Sequence, residues 1–159
     1  MMSNHKGHKG HKAFLGVLGV LCGSVFFRAV AAVGVVVQQA PPTRSVWAGV
    51  YTAEQAKRGE PLYGQQCSSC HGTTLEGGEM APPLTGGAFN SNWNGLSLGD
   101  LSERIRISMP QNNPGSLNRQ QCADLVAFVL GAGRFPAGDV ELPRDLEILK
   151  QITFEALKP

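Results

Sequence analysis

Cys122, Leu125, Val126, Val129 and Leu130 recur at i, i+3, i+4, i+7 and i+8. That spacing lines them along one stripe of a helix, with Asn118 as N-cap and Gly131 or Gly133 at the C-terminal end. A second amphipathic helix is predicted over 98–107. Leu98, Leu101 and Ile105 form its apolar face, and Glu103, Arg104 and Arg106 its polar face. Ser97 caps it and Pro110 ends it. A third helix is predicted from Thr52 to about residue 66. Thr52-Ala53-Glu54-Gln55 has the form of a capping box. Ala56, Gly59 and Tyr63 share a face, and Gly59 leaves room for another helix to approach. Pro61 lies inside this stretch and removes a hydrogen bond to the Lys57 carbonyl, so a kink is expected. Elsewhere the period fails. Residues 72–94 predict an irregular loop, and 138–159 an extended tail with one short helix near 145–150.

The polarity pattern upstream is of a different kind. Lys6, Lys9 and Lys12 make a basic start, 13–27 is apolar and small, Arg28 interrupts, and 29–37 is apolar again. These are the regions of a secretory signal, with Ala29-Val30-Ala31 as its cleavage site. The rival reading is a retained membrane anchor, since 13–37 is long enough to span a bilayer. Arg28 near mid-span disfavours it by about 2.5–3.5 kcal/mol on insertion scales. Cys22 resembles a lipoprotein cysteine only weakly, because bulky Leu21 precedes it, and His5, His8 and His11 read as part of a solvated leader. Both readings carry the rest of the chain across a membrane, free in the periplasm or anchored to the inner membrane. The expected organisation is a signal peptide or anchor over 1–40 and a linker over 41–50. The domain follows over 51–135, and 136–159 is a C-terminal tail packing on it or extending from it.

Composition changes this picture in two ways. The 20 glycines and 10 prolines among 159 residues favour loops, so only three to four short helices are expected. The formal charge of +2 belongs to the leader, since 10 basic and 12 acidic residues follow Pro41, a net of −2. No basic patch remains for nucleic acid.

The candidate chemistry is concentrated in Cys67-Ser68-Ser69-Cys70-His71, the c-type haem attachment signature. Two thiols three positions apart reach one porphyrin edge, and the next side chain lies beneath the ring as the proximal ligand. A zinc site would need further ligands, and adjacent Cys70 and His71 ligate poorly together. A thioredoxin-like pair needs a βαβ setting that is missing, and a disulfide closing so small a ring constrains little. One covalent haem c is therefore expected.

His71 is the only histidine after the leader, so bis-histidine ligation within one chain is excluded. The opposite axial position is then taken by a methionine or an exogenous ligand, or is open, and Met80 and Met109 are the two methionines after the leader. Met80 follows His71 by nine residues and would have to wrap the ring edge almost fully extended, at about 3.3 Å per residue. Met109 has a helix and a loop in which to cross, and stands outside the apolar stripe before Pro110. It is the preferred ligand; the bland reading is a core methionine. Pro82 is the candidate carbonyl for the second ring nitrogen of His71, unless Pro82-Pro83 only stiffens the loop. Phe89 and Trp93 are expected over the haem edge. The Trp93 indole donates there to a haem carboxylate or simply packs. Cys122 reads as a buried, inert thiol.

Cys67 to Gly72, Ala81-Pro82-Pro83-Leu84, Trp93, Ser108-Met109-Pro110 and Pro114-Gly115-Ser116-Leu117 together resemble the monohaem class I cytochromes c. Within them the chain is similar to the haem domains of bacterial quinoprotein alcohol dehydrogenases, over 51–133. The resemblance implies an all-α fold, the small class I cytochrome c fold wrapped around the haem. Its N- and C-terminal helices would cross with Gly59 and Tyr63 against Leu125 and Phe128. Filled axial positions leave no room for substrate, so the expected function is single-electron transfer in the periplasm and not enzymatic catalysis. The expected partners are a periplasmic dehydrogenase and an oxidase or other cytochrome, with membrane contact only if the leader is retained. Two alternatives are a haem subunit of a quinoprotein dehydrogenase complex and a ligand-binding haem sensor or enzyme.

Overall fold

Two helices, α1 (Ala53–Gln66) and α5 (Arg119–Ala132), cross at a glycine. A Cβ at Gly59 would lie 2.1 Å from the Asp124 carbonyl oxygen, so the backbones can meet only because that position has no side chain. The Tyr63 and Phe128 rings pack 5.2 Å apart beside the crossing. The structure, a computed structural model, describes residues 43–159. The leader expected over 1–40, its cleavage site, Cys22 and the three leader histidines lie outside the described residues.

α1 is one helix that runs through Pro61. The Thr52 hydroxyl accepts from the Gln55 amide at 3.1 Å, which is half of the expected capping box. The other half does not form. The Gln55 side chain is fully buried and turned to Leu142, donating Nε2–H to its carbonyl at 2.9 Å and accepting its N–H at 2.7 Å. Two buried backbone groups would otherwise be unpaired, whereas an N-terminal amide of α1 has water available.

After Cys67 the chain continues into α2 (Ser68–His71). The stretch expected as an irregular loop contains α3 (Gly86–Trp93), a correction to the sequence reading. α4 (Leu98–Ser108) begins with a full capping box, Ser97 with Asp100, and ends with Met109 as its C-cap. α5 has a second full box, Asn118 with Gln121, and buries the predicted apolar stripe. Gly133 is its C-cap, one of the two glycines expected there, at an ordinary φ of −75°, and Arg134 takes the left-handed φ of 64°. The Arg134 and Phe135 amides donate to the Gly131 and Leu130 carbonyls, both at 3.0 Å, which satisfies the last turn in a Schellman pattern. α6 (Leu146–Leu149) completes six helices among the described residues, four of them eight residues or longer. The fold is all-α.

The segment read as a linker is part of this fold from Arg44 onward. β1 (Arg44–Ser45) pairs in parallel with β2 (Ile152–Thr153), and Val46 and Val50 are buried. Residues 136–159 pack on the domain. Leu142, Leu149, Ile152 and Phe154 are buried in the common core. β2 is bonded on one edge to β1, while Thr153 forms an antiparallel bridge with Ser97. No helix among the described residues is long and apolar enough to cross a membrane.

Candidate haem site

The last turn of α1 and the single turn of α2 fix the spacing of the reactive groups. The Cys67 amide donates to the Tyr63 carbonyl at 2.9 Å, and the Cys70 and His71 amides to the Cys67 carbonyl at 3.1 and 3.0 Å. Cys67, Cys70 and His71 are therefore carried by one continuous turn. The chain leaves it through Gly72 at φ 81°, where any Cβ would also strike the Glu76 carboxylate. The Tyr63 hydroxyl donates to the Gly72 carbonyl at 2.5 Å and holds that exit. Burial pushes the Tyr63 phenol up to about 12, so it remains a donor.

The loop then turns back over the imidazole. Thr74 donates from its amide and its hydroxyl to Glu76, both at 2.7 Å, which holds the Glu76 carboxyl below the usual carboxylate range. The Gly77 amide donates to the His71 carbonyl at 2.8 Å, and the Leu84 amide to the Leu75 carbonyl at 2.9 Å. These bonds bring the Pro82 carbonyl 2.8 Å from His71 Nδ1. A carbonyl has no proton to give, so Nδ1 is the donor, and in the neutral ring the lone pair is on Nε2. His71 is 8% exposed and borders the cavity described next.

One cavity of about 1200 Å³ gathers Cys67, Cys70, His71, Pro82, Trp93 and Met109 on its walls. That exceeds the roughly 300–1,000 Å³ of ordinary small-molecule pockets and suits a large flat ligand. α1 and α2 supply the sulfur and imidazole side. α3 supplies Phe89 and Trp93, with ring centroids 6.0 Å apart. α4 supplies Leu101, Ile105 and, at its C-cap, Met109. α5 closes the back with Leu125 and Val129. Met80 also borders the cavity but is 78% exposed, whereas Met109 is half-buried. Cys67 and Cys70 are free thiols, and burial pushes the Cys67 thiol up to about 11, with Cys70 adding to the effect. Cys122 is fully buried, and burial raises its thiol to about 11 as well. Among the described residues no group of three or more His, Cys, Asp or Glu side chains could hold a metal ion, which leaves the zinc reading without a ligand set.

Sequence reasoning missed two contributors. Tyr63 appeared only as a member of a helix face, yet it borders the cavity and ties down the residue after His71. Leu96 borders the cavity beside α4 and received no role. Tyr63 lies two helical turns before His71 on the same run of chain, which was a usable signal; Leu96 offered none.

The donor set fits haem c: two thiols on one turn, an imidazole oriented through Nδ1, and a thioether on the wall of the same largely apolar cavity. Fold and family match together are those of a class I c-type cytochrome domain over residues 54–129. Residues 54–129 match the family described as cytochrome C oxidase, cbb3-type, subunit III, and such a domain implies haem c and electron transfer. Among solved structures the chain is similar to the sulfane dehydrogenase SoxCD from Paracoccus pantotrophus. The identity is 19% and the TM-score 0.46, over 76% of this chain and 68% of that one. No curated protein matches the chain.

Proposed function

We propose that the chain is an exported periplasmic electron carrier with one covalent haem c, ligated by His71 and Met109. The observation that supports this most directly is the convergence of both thiols, the Pro82-bonded His71 and Met109 on one cavity. Haem c, when bound, supplies an iron that gains and loses one electron. Cys67 and Cys70 each add across a vinyl group: sulfur bonds to one vinyl carbon, and the thiol hydrogen goes to the other. The Pro82 carbonyl holds His71 in the tautomer that leaves Nε2 free to ligate. The Met109 thioether would hold the iron as well, and methionine ligation would raise its potential. Leu101, Leu125 and Val129 keep water from the ring face. No second histidine is available after the leader as a general base, which agrees with a carrier.

Met80, Leu96 and Ile107 are exposed at the mouth of the cavity, at 78%, 44% and 56%. They give redox partners a small apolar contact, of the kind that buries less than about 1,200 Å² in transient encounters. The partners we propose are a periplasmic dehydrogenase as donor and an oxidase or another cytochrome as acceptor. The leader, with its basic start and apolar stretch, supports export.

Optical spectra of the matured protein test the ligation. The pyridine haemochrome should show the c-type band, and the ferric protein a weak near-infrared charge-transfer band. Met109→Ala should abolish that band and Met80→Ala should keep it. A band that survives Met109→Ala would overturn the assignment.

A further inference from the structure

Nothing in the chemistry above requires the last twenty residues, yet they are among the best anchored in the molecule. Leu142, Leu149, Ile152 and Phe154 are each no more than 2% exposed. Three fastenings hold the segment in place. Gln55 bonds both backbone groups of Leu142. Arg58 pairs with Glu141 at 2.8 Å and with Asp124 at 3.2 Å, joining the segment to the α1–α5 pair. Glu155 accepts the Ser45 hydroxyl through its carboxylate and the Trp47 indole N–H through its carbonyl, the latter at 2.9 Å.

What the segment touches is one wall of the haem cavity. The Phe154 ring meets Phe89 edge-on at 5.7 Å, and Phe89 borders the cavity beside Trp93. The Phe154 amide donates to the Leu96 carbonyl, and the Gly95 amide to the Phe154 carbonyl, both at 2.8 Å. At the first turn of α4, a Cβ on Gly99 would sit 2.9 Å from the Lys150 backbone nitrogen, so α4 lies directly against the end of α6. α4 is a single 11-residue helix with Met109 at its far end. Fixing its first turn therefore fixes the direction from which the Met109 sulfur approaches.

We propose that residues 139–156 form an internal clamp that positions the α3–α4 wall, with Phe154 as the positioning residue and Gln55 as the latch. By holding that wall, the clamp keeps the Met109 side of the cavity closed to small external ligands. This rests on the His71/Met109 reading given above. The clamp holds α1 at Gln55 and Arg58, near its start and well before Cys67, so its loss acts first on the Met109 side of the cavity.

Carbon monoxide is the probe, offered to the matured full-length ferrous protein at neutral pH. The near-infrared band of the ferric form is recorded in parallel. Phe154→Leu keeps an apolar side chain but loses the ring edge against Phe89, and Gln55→Ala releases Leu142. Val126→Ala, buried in α5 away from the cavity, serves as a control matched for loss of thermal stability. Both clamp variants should take up carbon monoxide about tenfold faster than the wild type and show a weakened near-infrared band. Tenfold corresponds to about 1.4 kcal/mol less hold on the closed arrangement. Val126→Ala should stay at the wild-type rate. An equal rise in the control, or wild-type uptake by both clamp variants, would overturn the clamp alone. Ready uptake by the wild type would instead remove the His71/Met109 reading, and the closing role with it.

Discussion

Cys67, Cys70, His71 and Pro82 come to one side of the cavity from a single run of chain. Its hydrogen bonds join residues mostly within about a dozen positions of one another. Phe89, Trp93, Leu96 and Met109 come to the cavity on two helices and the turn between them, whose placement depends on residues some fifty to sixty-five positions further on. The first side is specified by local bonding and forms wherever α1 forms. The second closes only after a long loop has been brought back, against the entropy that such closure costs. The covalent attachment we propose thus falls on the part of the site that needs least of the remaining fold, and the proposed Met109 ligation on the part that needs most.

The strongest way to break this contrast is at the crossing that carries the local side. Gly59→Ala places a methyl against the Asp124 carbonyl, and the two backbones must separate. A loss of about 3 kcal/mol or more is expected in urea unfolding, at the upper end for overpacking. A stable Gly59→Ala protein would mean that α1 and α5 are less intimately packed than described. Next comes the joint between the two sides. Gln55→Ala leaves the N–H and C=O of Leu142 buried without partners, a loss of about 2 kcal/mol. Gln55→Glu should be little better, because a carboxylate can accept the Leu142 amide but cannot donate to its carbonyl.

The smallest effect sharpens the contrast at α4. Ser97→Ala removes the cap and should cost about 1 kcal/mol near neutral pH. Part of that is the Asp100 carboxylate, which the Ser97 hydroxyl and amide hold below its ordinary value of 3.8. A carboxyl lowered by folding stabilises above its unfolded value, and the benefit is lost as pH falls below that value. The gap in melting temperature between the wild type and Ser97→Ala should therefore narrow, without closing, as pH falls below about 3.8. A gap unchanged at pH 3 would assign the whole effect to the hydroxyl.

The same contrast explains what could be read from the amino-acid order. The cysteines and His71 were legible because their chemistry is contiguous. α4 and α5 were legible because each contains its own cap and apolar stripe. α3 was not, because Gly86-Gly87 and Asn90-Ser91-Asn92 hide Phe89 and Trp93, and the helix is held by Phe154 from outside. Gln55 fitted a local motif that its side chain does not serve, since its partner lies 87 positions away. Residues 44–50 were too short to show a period, and their burial depends on pairing with β2. Arg134 took a backbone conformation expected of a neighbouring glycine, and no residue type announced it.

Arg44 stands beside Ile152 in the parallel pair, so the polypeptide enters and leaves the haem domain at one edge. A protein fused ahead of residue 43 would therefore emerge beside the last strand of the domain.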